Sequence, residues 1–239
     1  MSASLVGVGV GPGDPELLTT RAVRVLREAD RVFAPTMAAD VVGRAESVVV
    51  RAGVGVVPER LVFDVGGDEA ARAAAHAAAA DLIAACLDAG QRVAFVTIGD
   101  PNLYSTFSHL ARAVSARRPG AAVETVPGIM AFQDLAARTG VVVADGAQPL
   151  HLVSAVDGLD RLDRALSDPQ AAVVVYKGGR HLPGIASRLD RVGRLRGAVF
   201  GELLGLAGER LGRVEDHAGQ PAGYLATVVV PPAGAGAAS

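Results

Sequence analysis

Short apolar runs recur along the chain, separated by longer stretches in which apolar residues return every three or four positions. The runs LVGVGV (5–10), RVFAP (31–35), RLVFDV (60–65), RVAFVTIG (92–99) and AVETVP (122–127) predict β-strands. So do LHLVSA (150–155), AAVVVYK (171–177), GAVFGELL (197–204) and YLATVVVP (224–231). Several of these runs are apolar nearly throughout, the pattern of strands covered on both faces. The intervening stretches predict helices over 15–29, 68–89, 103–117, 129–139, 158–167 and 182–193. Alternation of this kind specifies an α/β fold. ARRPGAA (116–122) is a turn-rich break, after which the rhythm restarts. We therefore expect two α/β domains, 1–120 and 121–231, with a cleft between them, and a small-residue tail over 232–239 that is disordered.

Composition narrows the function classes. The formal net charge of −2 argues against a protein that grips nucleic acid through a broad basic surface. Cys86 is the single cysteine, so no intrachain disulfide is possible, and its apolar helical surroundings make it a small core residue. No uninterrupted apolar run reaches the roughly 18 residues of a membrane span. The amino-terminal residues lack the charged, apolar and small-residue order of a signal peptide. The expectation is a soluble cytoplasmic protein with no membrane partner. His76 lies in an alanine-rich helix without a second metal-binding side chain at ligand spacing, so it reads as a surface or packing residue. No metal site is expected. The Ser-His-Asp, HExxH and GxSxG patterns of hydrolases are also absent.

Candidate chemistry begins with VGVGVGPGDP (6–15), a glycine-rich turn between a strand and a helix. A dinucleotide-binding turn needs glycine at i, i+2 and i+5. Counting from Gly7, Gly9 and Gly11 puts Pro12, Asp14 and Glu16 at the last position, so no frame fits. No Gly-Lys-Ser/Thr triplet occurs either. Proline has no N–H to offer an anion. Asp14, Pro15 and Glu16 form a good helix start, in which Asp14 satisfies the donors a phosphate would use. A nicotinamide-dependent enzyme is accordingly disfavoured. The loop is built to turn tightly and let a ligand lie against its backbone.

Three further loops follow predicted strands: TIGDPNLYSTF (97–107), VPGIMAF (126–132) and VVYKGGRHLP (174–183). Ligands bind at such strand ends in open sheets. From the residues alone, Asp100 reads more readily as a turn cap than as a functional acid. Tyr104 reads equally as helix-start packing or as a polar tip at a site. Lys177, the only lysine, begins a Lys-Gly-Gly-Arg-His loop, so it joins Arg180 and His181 in a potentially cationic cluster.

GVGPGDPELLT, IGDPNLYSTF, VPGIMAFQ and YKGGRHLP together resemble the tetrapyrrole methylases, a family of S-adenosylmethionine-dependent methyltransferases, over about residues 4–231. The resemblance implies two α/β domains, S-adenosyl-L-methionine as cofactor, a tetrapyrrole substrate and a homodimer. It also fits a loop without an anion hole, because the sulfonium is cationic. The implied cofactor contacts are Pro12, Ile98, Gly99, Asp100, Leu103, Ser105, Thr106, Met130, Ala131, Lys177, Leu204 and Ala226. Met130 stands where many relatives have Thr or Ser, and Lys177 where relatives often have an apolar residue. The resemblance further implies Asp100 and Tyr104 as catalytic residues. Lys177, Arg180 and His181 would meet substrate carboxylates, arginine as a two-pronged clamp and lysine as a point charge. The alternatives are another corrin methyltransferase or diphthine synthase of the same family and, more distantly, a non-catalytic tetrapyrrole or nucleotide binder.

Overall fold

The structure, a computed structural model, describes residues 3–63 and 69–234. Two five-stranded sheets organise the chain. The first has the order β3-β2-β4-β1-β5, from β1 (Ser4–Gly9), β2 (Arg31–Thr36), β3 (Glu59–Val62), β4 (Arg92–Thr97) and β5 (Ala122–Val126). All its pairings are parallel. The apolar runs explain the order. β1 is buried throughout and β4 nearly so, and both are inner strands, whereas β3 and β5 are partly exposed and take the edges.

The second sheet has the order β6-β7-β10-β8-β9, from β6 (Leu150–Ser154), β7 (Ala172–Tyr176), β8 (Val199–Glu202), β9 (Arg210–Arg213) and β10 (Ala226–Val230). Only β6 and β7 run parallel; β10 is antiparallel to both β7 and β8, and β8 to β9. The fully buried strands are again the inner three.

The helices are α1 (Thr20–Glu28), α2 (Arg44–Arg51), α3 (Glu69–Asp88), α4 (Phe107–Arg117), α5 (Ala131–Thr139), α6 (Asp160–Leu166), α7 (Leu182–Arg191) and α8 (Val214–His217). In the first sheet, α3 and α4 cover one face through Ile83, Leu87, Phe107 and Leu110, which pack on Leu5, Phe33 and Phe95. Cys86 is a buried member of that core. α3 is apolar enough by composition to cross a membrane, with a mean hydropathy of 1.3 over 18 residues. Much of that apolarity is alanine, and the helix packs on α4 and β4 through Ala79, Ala80, Ile83, Cys86 and Leu87. His76 packs its ring against Phe63 at 4.8 Å and lies 6.2 Å from the ring of His109. Burial, reinforced by His109, pushes its pKa down.

Several boundaries depart from the sequence reading. The predicted helix 15–29 is two pieces, a 3-10 turn (Pro15–Leu17) and α1, because the Thr19 side chain accepts from the Ala22 N–H and restarts the helix. The helix predicted from 103 begins at Phe107, and the strand predicted to reach Leu204 ends at Glu202. α2, β9 and α8 had no expectation. Of the strand predicted over 60–65, residues 64 and 65 lie outside the described residues, as do position 68 of the next helix and positions 235–239 of the tail. The chain divides into two compact units, Met1–Met130 and Ala131–Ser239. The division falls about ten residues beyond the expected one, since the strand over 122–126 pairs with β1 rather than opening the second sheet.

Candidate functional site: three loops at one sheet edge

β4, β1 and β5 are neighbours and parallel, so the loops that follow them leave the same edge of the first sheet. Those loops carry Pro12, then Ile98–Thr106, then Met130. β1 sends its connection to β2 on one side, and β4 sends its connection to β5 on the other. A reversal of this kind marks where open α/β sheets take ligands.

The loops meet backbone to backbone. Gly11 and Gly99 form an isolated β-bridge, with the Gly99 N–H donating to the Gly11 carbonyl at 2.8 Å. Gly9, at the end of β1, and Gly128, in the loop after β5, both lie against the Gly99 carbonyl where side chains are missing. A Cβ on Gly9 would lie 2.5 Å from the Gly99 carbonyl oxygen and 2.6 Å from the Gly128 nitrogen. Gly128 is as tightly enclosed by the same backbone. The Met130 sulfur lies over Gly99, 3.5 Å from where a Cβ would stand. Pro12 is buried, and Arg51 Nη1 steadies its loop by donating to the Gly13 carbonyl at 3.3 Å. Asp14 accepts from the Glu16 N–H at 2.9 Å, so its carboxylate fills the anion position at that helix start, as the sequence indicates.

Asp100 joins two of these loops. One carboxylate oxygen accepts from the Asn102 N–H at 2.8 Å, and the other from the Gly128 N–H at 3.1 Å. The cap read from the residues is therefore present, together with a second bond across 28 residues of chain. Asn102 in turn donates to Thr125 of β5 at 3.0 Å. The Ser105 hydroxyl lies 3.0 Å from that of Thr97 and accepts from the Phe107 N–H at 3.1 Å, which makes it the cap of α4. Thr106 makes no side-chain cap bond.

A related arrangement closes one edge of the second sheet. β10 is antiparallel to β7 and β8, so its first residue, Ala226, lies where those strands end. Lys177 follows β7, and Leu203 and Leu204 follow β8. The Lys177 ammonium stands 5.2 Å from the Tyr224 ring centroid, a cation–π contact. The double glycine after Lys177 is a packing requirement, since a Cβ on Gly179 would collide with the carbonyls of Ala222 and Gly223. Gly179 and Ala222 are also hydrogen-bonded at 2.8 Å. Buried Glu202 accepts from the Gly223 N–H and from Arg210 Nε, the latter at 2.7 Å, which holds the strand 10 approach in place. Arg180 donates to the Val156 carbonyl and, at 3.0 Å, to His181 Nε2, so this guanidinium already serves the loop itself. Ala131 begins α5, which packs on β8 and β10.

Backbone strain marks both edges. Among the described residues, three that are not glycine have left-handed φ: Tyr104 (52°), Lys177 (57°) and Leu203 (52°). Each follows a strand end. Such conformations persist where the surroundings over-determine them, and they cluster at functional sites. At Tyr104 the left-handed turn also explains why α4 starts late. The ring lies on the loop before α4 and is 41% exposed. Leu203 carried no signal in the sequence, because leucine does not announce a left-handed turn. Among the described residues, no group of three His, Cys, Asp or Glu side chains is placed to hold a metal.

Residues 4–215 match the tetrapyrrole (corrin/porphyrin) methylases as a family. The chain belongs to that family. It is 34% identical to a precorrin-2 C(20)-methyltransferase of Sinorhizobium sp. over 95% of this chain and 94% of the relative. It is 30% identical to a cobalt-precorrin-2 C(20)-methyltransferase of Salmonella typhimurium over 96% and 97% of the two chains. Among solved structures, a cobalt precorrin-4 methyltransferase superposes with a TM-score of 0.71 at 18% identity, covering 95% of this chain and 94% of the other. A uroporphyrin-III C-methyl transferase from Thermus thermophilus, complexed with S-adenyl homocysteine, gives 0.64 at 24% identity, covering 96% and 92%. These likenesses carry the methylase fold.

Proposed function

We propose that this methylase transfers a methyl group from S-adenosyl-L-methionine to C-20 of a tetrapyrrole, either precorrin-2 or its cobalt-loaded counterpart, in cobalamin biosynthesis. The observation that carries this reading is near full-length similarity to two relatives named for that position, one on each substrate.

The residues fit the cofactor. At the first loop Pro12 lacks an N–H and Asp14 takes the Glu16 N–H at the helix start, so no phosphate is invited there. A cationic, phosphate-free ligand is compatible with that loop. When bound, S-adenosyl-L-methionine supplies an electrophilic methyl on sulfur. Pro12, Ile98, Gly99, Leu103, Ser105, Thr106, Met130, Ala131, Lys177, Leu204 and Ala226 would hold it. Ser105 would contribute through its place in the loop, because its hydroxyl already caps α4. A carboxylate has about four lone-pair sites, so Asp100 can keep its two backbone bonds and still accept from an ammonium group. Its role is to fix the loops and orient the ligand. Tyr104 offers a polar tip beside them. Lys177 and His181 would meet substrate carboxylates, and Arg180 would steady His181 as well as contribute charge. The protein's share in catalysis is orientation and exclusion of water. A homodimer in the cytoplasm, with no nucleic-acid or membrane partner, completes the proposal.

The test is an anaerobic assay with labelled S-adenosyl-L-methionine, offering precorrin-2 and cobalt-factor II in parallel, with the product read by mass and NMR. One methyl at C-20 is the expected result, and the preferred substrate identifies the metal-free or cobalt route. A methyl at another carbon, or turnover only on a different acceptor, assigns the chain another activity within the family.

A further inference from the structure

The loop after β8 is held by an ion pair that the sequence reading did not find. Leu203 takes the left-handed conformation, and the chain turns at once, with the Leu206 N–H donating to the Leu203 carbonyl at 2.8 Å. Glu209 reaches back across this turn and accepts from the Gly205 N–H at 2.6 Å. The same carboxylate takes both prongs of Arg138, at 2.7 and 2.5 Å. Arg138 lies in the last turn of α5, the helix that starts at Ala131 directly after Met130. A two-pronged arginine–carboxylate pair is directional as well as strong. It ties the far end of α5 to the turn, while Leu135, midway along α5, packs against the strand that leads into it. Gly201 makes that packing possible: a Cβ there would lie 2.8 Å from Leu204 and 3.2 Å from Leu135.

We propose that Arg138 and Glu209 are positioning residues for cofactor binding, holding the strained Leu203–Gly205 turn in the conformation that presents the Leu204 backbone, while the Leu204 side chain is buried over Gly201. The proposal rests on the cofactor reading above. A left-handed leucine is unfavourable by itself and relaxes when nothing restrains it. The Glu209–Gly205 bond spans the strained residue's own turn, and Arg138 fixes the carboxylate that makes it. The pair therefore acts on the cofactor through the backbone at 203–205.

The experiment is calorimetric titration of S-adenosylhomocysteine into full-length wild type, Glu209→Gln, Arg138→Lys, Leu203→Gly and the Glu209→Gln/Leu203→Gly double variant, with no tetrapyrrole present. Glu209→Gln is expected to weaken binding about tenfold, the scale of a lost charge-assisted hydrogen bond. Arg138→Lys, which keeps the charge but loses the fork, is expected to weaken it severalfold. Glycine adopts the left-handed turn without strain. Glu209→Gln should therefore cost about threefold or less when introduced into the Leu203→Gly background, a coupling that general destabilisation does not produce. Unchanged affinity in Glu209→Gln overturns the proposal, as does an equal loss in both backgrounds. If Glu209→Gln does not fold, Arg138→Lys compared in the wild-type and Leu203→Gly backgrounds decides by the same coupling. A wild type that does not bind S-adenosylhomocysteine removes the cofactor reading and the proposal together, whereas binding by wild type with no coupling removes the proposal alone.

Discussion

At the scale of single residues, absence of a side chain does as much here as any functional group. Gly9 and Gly128 leave room for the Gly99 carbonyl, so the end of β1 and two loops meet at contact distance, and Gly128→Ala must force backbone apart. It is expected to lower stability by about 1–3 kcal/mol and to weaken S-adenosylhomocysteine binding; denaturant melts and calorimetry check both. Asp100 is the complementary case, because its carboxylate bridges two of the loops. Asp100→Ala is expected to reduce stability by about 1–2 kcal/mol, for two backbone N–H groups that lose an acceptor beside solvent. Cofactor affinity should fall more than stability does. A folded Asp100→Ala protein with wild-type affinity and turnover would leave Asp100 as a loop cap only.

At the scale of elements, the sequence was legible where hydrophobicity alone decides. All nine strands it predicted are present, because a continuous apolar run has few alternatives to a buried strand. β9 escaped because RLGR is a short, partly exposed edge with two charges and a glycine. α2 escaped because three consecutive valines, Val48, Val49 and Val50, carry no helical spacing, and its start is fixed by buried Glu46 through its pair with the distant Arg60. The candidate site was legible through Gly, Pro and Asp at strand ends. The Arg138–Glu209 link was not, because its partners are 71 residues apart and each is an ordinary helix-end or loop charge. That link also sets a pH response. The Arg138 fork, followed by the Gly205 N–H, holds the Glu209 carboxyl at a pKa of about 2, below its ordinary 4.5. A depressed carboxyl contributes stability that is fully present above the ordinary value and is lost as pH falls towards the folded one. The difference in thermal stability between wild type and Glu209→Gln should be constant above about pH 5 and shrink steadily between pH 4.5 and 2. Solvent screening of this partly exposed pair limits the effect to about 1 kcal/mol.

At the scale of the whole molecule, both units bury their most apolar strands centrally, yet they end differently. In the second unit, buried Arg194 gathers the end of the sheet. Its Nη2 donates to the carbonyls of Ala171 and Pro231, each at 2.7 Å. Burial pushes the pKa of this guanidinium down, with the charge of Asp168 acting in the opposite direction. Arg194→Met would keep much of the volume and leave those carbonyls without a donor. A loss of about 2–4 kcal/mol is expected, read as an early unfolding of the second unit in hydrogen exchange, with β10 amides exposed first.

The strand order has a consequence for how the chain is made. In the first sheet the last strand to be synthesised, β5, joins at an edge, so β1 to β4 can already be paired when it arrives. In the second sheet the last strand is central, and β7 and β8 have no partner on one side until residues 226–230 leave the ribosome. The first unit can fold during translation. The second sheet closes only when residues 226–230 have emerged, and until then β7 and β8 each keep one unpaired side.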